Sequence, residues 1–190
     1  MTVTALAGIT SGVITLVGLL IYARSVPSGK TKPVIATWFI WTLNSVLLLA
    51  SYYASGAGDT TWFEAGYTAG LFIIWLLALR FGTTGWSSLD KLCLVGALSA
   101  ALLWLVTGSS VVAYLMTLLI DLLGIIPTMY HAWRNPSEEH KISWVILLIG
   151  ALVSFFSLEG WNPLIAWYPF QITLTTAVIV WLLFTGRKHT

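Results

Sequence analysis

Charge is scarce in this chain. Only 8% of its 190 residues are Asp, Glu, Lys or Arg, while 58% are hydrophobic. A soluble domain carries about 25% charged residues. So few charges cannot cover a globule of this size with polar surface. That excludes a soluble enzyme, a nucleic-acid binder and a disordered segment. Cysteine is nearly missing, and the lone Cys93 excludes an internal disulfide and any cysteine-based metal cluster. The three histidines, His131, His140 and His189, are too badly spaced for a metal site. An excess of one sign is missing too: nine basic and seven acidic residues give a net charge of +2, which argues for no anionic polymer as partner. What remains is an integral membrane protein of all-α class, without cofactor, expected in the plasma (inner) membrane.

What is present is apolar sequence in long runs. A helix needs about 20 such residues to cross a bilayer. Seven runs qualify as predicted spans: 4–22, 34–54, 62–81, 89–106, 110–130, 142–158 and 164–185. The loops between them are short, which favours antiparallel neighbours in one membrane domain over 1–190. No basic segment precedes the first run, and Arg24 follows it, so it reads as a true helix rather than a cleaved signal.

The bases orient the spans. Arg24, Lys30 and Lys32 lie between spans one and two, Arg80 and Lys91 around the loop between three and four. Arg134 and Lys141 flank the loop between five and six, and Arg187 and Lys188 follow span seven. All nine fall on one side, which predicts a cytoplasmic C-terminus and an outside N-terminus. The other side holds only acids: Asp59, Glu64 and Glu159.

The chain also repeats itself. Trp38 and Trp144, Trp75 and Trp181, and Gly18 and Gly124 are each 106 positions apart. Thr37 pairs with Ser143 and Ser51 with Ser157 at the same offset. Spans one to three (4–81) therefore match spans five to seven (110–185), with span four (89–106) as a linker. One linker helix makes the two triplets run in the same direction, as parallel repeats. This 3+1+3 plan resembles the SWEET and PQ-loop superfamily of membrane transporters. Pro127 and Thr128 stand where that family has its Pro-Gln pair, with Thr in place of Gln; the first repeat has Ile21 and Tyr22 there. The resemblance implies an alternating-access carrier of a small polar solute such as a sugar or a vitamin, with Pro127 as a hinge. Without the resemblance, Pro127 reads equally as a static kink.

Polar residues form stripes. Tyr114, Thr117, Asp121, Gly124 and Thr128 share one face of span five, and the offset maps them onto Gly8, Ser11, Thr15, Gly18 and Tyr22 of span one. In span two, Thr37, Trp41, Asn44, Leu48 and Ser51 map onto Ser143, Leu147, Gly150, Ser154 and Ser157 of span six. Small residues of this kind either pack helices or line a pathway between the repeats. Asp121 sits in mid-span, where a charge is costly unless it faces the bundle interior or water. It is the candidate proton-coupling residue, because burial penalises a charged acid and coupling needs an acid that exchanges protons. Thr15, Trp41, Asn44, Thr117 and Asp121 are the candidate solute-binding residues. The rival for Asp121 is a structural hydrogen bond to Asn44 or Thr15. Trp62, Trp86, Trp133, Trp161 and Trp167 fall at span ends, as in an aromatic belt. Trp41, Trp75 and Trp181 lie deeper, and Trp41 shares a face with Asn44.

Two other classes of function stay open: a seven-helix ligand sensor, and an accessory membrane subunit that moves nothing. A retinal protein needs a lysine inside the bundle and a haem protein a deep histidine, and neither exists. No pair of deep titratable groups offers enzyme chemistry. The expected partners are a small solute and the lipid bilayer, with homo-oligomers possible through the Gly-rich faces.

Overall fold

The computed structural model describes residues 2–54, 60–158 and 163–185. Asp59, Glu159, Trp161, Arg187, Lys188 and His189, and the side chains of Ser51, Trp62 and Glu64, lie outside what is described. Most of the described residues are helical, with no strand among them. The helices are α1 (Val3–Ser25), α2 (Ile35–Ala54), α3 (Thr60–Phe81), α4 (Ser88–Thr107), α5 (Ser110–Arg134), α6 (Lys141–Ser154) and α7 (Pro163–Thr185). Each falls on one of the seven apolar runs.

Local chemistry sets several ends. Asp90 opens α4 as part of a capping box. Asp90 N–H donates to Ser87 Oγ at 3.1 Å, and Ser87 N–H donates to Asp90 Oδ2 at 2.7 Å. Gly108 closes the same helix in the left-handed conformation, with φ 60°. The His140 ring caps α6 by accepting from Ser143 N–H at 3.3 Å. The sixth span ends earlier as an α-helix than its apolar run. It tightens at Ser154 into a 3-10 turn, Phe155–Ser157. Ser154 and Ser157 hydroxyls bond back to the carbonyls of Ala151 and Ser154, each at 2.6 Å, in competition with the helical ladder.

Four helices, α1, α4, α5 and α7, are long and apolar enough to cross a membrane; the described apolar stretches of the other three are shorter. Their outward faces agree with that. Along α1, Leu6, Ile9, Val13, Leu16 and Leu20 are exposed at helical spacing, and along α4 so are Leu92, Val95, Leu98, Leu102 and Leu105. Water would penalise such continuous apolar stripes, and lipid does not.

The chain divides into two compact units, Met1–Thr31 with His131–Thr190, and Lys32–Tyr130. In the first, α1 packs along α6, and α6 against α7. Gly18 permits the approach: a Cβ there would meet Leu147 Cδ2 at 3.0 Å. Gly150 does so from the other side, where a Cβ would come within 2.6 Å of Thr15 Oγ1, and Ser11 Oγ donates to Gly150 O at 2.9 Å. In the second unit, α2 packs against α3 and α4. Ile40, Ile120 and the small residues Cys93, Ala97, Ala100 and Ala101 form a buried cluster joining α2, α4 and α5. Small residues let these backbones come close.

The offset of 106 reappears in these contacts. Gly18 against Leu147 in the first unit corresponds to Gly124 against Trp41 in the second. Thr15 against Gly150 corresponds to Asp121 against Asn44. The first unit thus pairs α1 with α6, and the second pairs α5 with α2. At Gly124 an added Cβ would lie 2.9 Å from Trp41 Cδ1 and 3.0 Å from Ile40 Cγ2. Gly124→Ala is expected to cost about 1–3 kcal/mol, because the indole must leave its seat. A melting temperature equal to that of the parent would show that the ring yields freely.

Candidate functional site

The second unit brings three of the predicted residues together. Asp121 lies near the middle of α5, and its side chain is buried. Asn44, from the middle of α2, donates through Nδ2 to Asp121 Oδ1 at 3.0 Å. One turn earlier on α2, Trp41 Nε1 donates to the main-chain oxygen of Asp121 at 3.3 Å. The Trp41 ring stands edge-on to Trp38, with centroids 5.5 Å apart. The sequence puts these groups in line because Trp41 and Asn44 are three apart, as are Asp121 and Gly124. Gly124 supplies the room for the indole.

Asn44 is held oddly for a purely structural group. Its Oδ1 is buried and accepts no hydrogen bond, although its amide donates. Buried polar atoms are nearly always paired, and an unpaired one costs about 1–3 kcal/mol. Such an acceptor, beside a carboxyl group in an apolar helix pair, is able to receive a further hydrogen bond.

Thr117 is also buried, one turn before Asp121, with its hydroxyl donating to Ala113 O at 3.0 Å. Thr15 belongs to the other unit, half-buried against Gly150. Pro127 is buried within α5, which runs unbroken through it. Proline has no N–H to give to the carbonyl one turn back, so the ladder is weakened there. One residue later, Thr128 Oγ1 donates to Thr37 Oγ1 at 2.8 Å, tying the helices beyond the proline. Of the deeper tryptophans, Trp75 lies against Phe39 at 5.2 Å between centroids, while Trp181 faces outward.

The first unit holds a second buried acid, which the sequence reading did not single out. Glu139 lies between the 3-10 turn Pro136–Glu138 and α6, and is 5% exposed. Its neighbours in sequence, Glu138, His140 and Lys141, are charged or polar, so the segment reads as a solvated loop. Its partner Tyr22 is 117 positions away, and no spacing rule connects them. A group of three or more residues able to hold a metal ion is absent among the described residues. No protein-family model matches this chain, and neither a curated protein nor a solved structure does.

Proposed function

We propose that this chain is a membrane carrier that moves a small polar solute, of the sugar or vitamin class, by alternating access. In this reading all seven helices span the membrane, as two parallel three-helix repeats, 4–81 and 110–185, joined by the linker 89–106. The N-terminus is outside and the C-terminus cytoplasmic, in the plasma (inner) membrane. Asp121 carries the coupling proton. Trp41, Asn44 and Thr117 surround the solute with it, Thr15 serves the matching position of the other repeat, and Pro127 gives the hinge. The observation that carries this reading is the buried Asn44–Asp121 pair in mid-helix, 3.0 Å apart, with the Asn44 carbonyl oxygen left unbonded. An intramembrane acid that served only to pack helices would be an expensive choice, since Ser or Thr does so more cheaply.

The test is uptake into proteoliposomes of a labelled hexose, a disaccharide, a B vitamin and a basic amino acid, with and without an inward proton gradient. One solute is expected to accumulate with the gradient. Asp121→Asn keeps the amide-sized side chain and is expected to remove the stimulation while leaving the protein folded. Stimulation that persists in Asp121→Asn would refute the coupling role. Flat traces for folded protein across a widened panel would turn the reading to a sensor or an accessory subunit.

A further inference from the structure

Glu139 sits where two helices of the first unit meet. Tyr22 of α1 donates its hydroxyl to Glu139 Oε2 at 2.9 Å, and Trp144 of α6 donates Nε1 to the same oxygen at 2.9 Å. The Tyr22 and Trp144 rings stand edge to face, with centroids 6.1 Å apart, and close over the carboxyl group. Tyr22 and Trp144 are 0% and 1% exposed. The other oxygen, Oε1, is buried and has no hydrogen-bond partner. Two donors thus grip one oxygen, while the second is buried and accepts no hydrogen bond from the described residues.

We propose that Glu139 is a proton-binding site whose charge sets how firmly α1 is held to α6. When ionised, the carboxylate accepts two charge-assisted bonds, one from each helix. When it takes a proton on the free Oε1, the same two bonds become neutral and weaker, but the larger cost of burying the charge is removed, so α1 is held to α6 more firmly in the protonated form. The inference concerns the first unit only and stands whether or not the chain carries a solute.

The surroundings support exchange near neutral pH. Burial pushes the Glu139 carboxyl up from its ordinary value of 4.5 to about 7, the Trp144 and Tyr22 bonds oppose this, and the charge of Glu138 adds to it. The other titratable groups on the elements packed about it have their own places. His131, at the end of α5, lies 3.4 Å from Glu138. His140 is engaged with Ser143 at 2.8 Å, and burial lowers its basicity. Lys141 lies over the Phe184 ring at 5.0 Å. Arg24 of α1 and Arg134 of α5 are exposed. Among its described residues, α7 carries no Asp, Glu, Lys, Arg or His. The sign follows. The folded chain holds this proton more tightly than the unfolded chain, so stability from it is full below about 4.5 and is lost as pH rises to about 7.

The experiment is an infrared pH titration of the full-length protein in lipid, from about pH 5 to about pH 9. The signal is the carbonyl stretch of a protonated carboxyl group. The parent is expected to show a band that fades with a midpoint near 7, and Glu139→Gln is expected to lack it. Tyr22→Phe removes a donor that favours the charged form. It is expected to raise proton affinity about tenfold, moving the midpoint upward. A titrating band retained in Glu139→Gln, or no titration in the parent, would overturn the proposal. Should Glu139→Gln fail to fold, Tyr22→Phe decides, and an unmoved midpoint overturns it. The Asp121→Asn variant keeps the Glu139 band and so separates the two acids.

Discussion

Asn44→Leu is expected to destabilise the protein by about 1–3 kcal/mol, the range for removing one partner of a buried hydrogen bond. The variant removes the amide that donates to Asp121 Oδ1 and puts an apolar branch beside the carboxyl group. Asp121→Leu in the same background is expected to restore most of the loss, because the polar partner is then gone as well. The measure is a double-mutant cycle by denaturation in mixed micelles. Magnitude decides what the pair is. Interhelical hydrogen bonds between membrane helices average about 0.6 kcal/mol, since the unfolded helices find other partners. A coupling of that size would make Asn44–Asp121 ordinary helix glue and remove its claim to hold a proton or a solute. A coupling several times larger marks a bond that the unfolded helices cannot replace with other partners.

The second large effect is steric. Gly82 follows the end of α3, where its N–H donates to Ala78 O at 2.8 Å and the next residue, Thr83, donates to Pro33 O at 3.1 Å. A Cβ on Gly82 would overlap the carbonyl oxygens of Ala78 and Pro33. Both obstacles are backbone, so no side chain can rotate away. Gly82→Ala is expected to break the Thr83–Pro33 bond and part the end of α3 from the start of α2, at a cost of about 3 kcal/mol or more. Gly85 is the control. It adopts φ +78° with nothing within 4 Å of an added Cβ, so Gly85→Ala meets only backbone strain, about 1 kcal/mol. Thermal melts of both variants test this. Equal melting temperatures would show that the Gly82 contact is loose.

The helices were legible because apolar length and end chemistry agree. The run 110–130 became Ser110–Arg134, and the Asp90 at the start of the fourth helix, which looks misplaced in an apolar span, is its capping box. The end of the sixth helix was less legible. Ser154 and Ser157 have hydroxyls that can bond to their own carbonyls, and propensity alone does not say when they will. The burial of Glu139 is illegible in the sequence for a related reason. A pair of acids in a short loop looks solvated until a tyrosine from the first helix closes over one of them.

The sequence by itself determined that the chain is helical and apolar, where its helices lie, and that the helices at an offset of 106 are alike. Those properties are local or statistical: hydrophobic length, caps and recurring residues need no neighbour to be read. Only the tertiary structure decided which helices pair, α1 with α6 and α2 with α5 rather than each with its likeness, because a stripe of Gly, Ser and Thr accepts any partner that fits its groove. It likewise decided that Asn44 donates its side-chain amide to Asp121, since a hydrogen bond depends on angstroms that spacing along a chain does not carry.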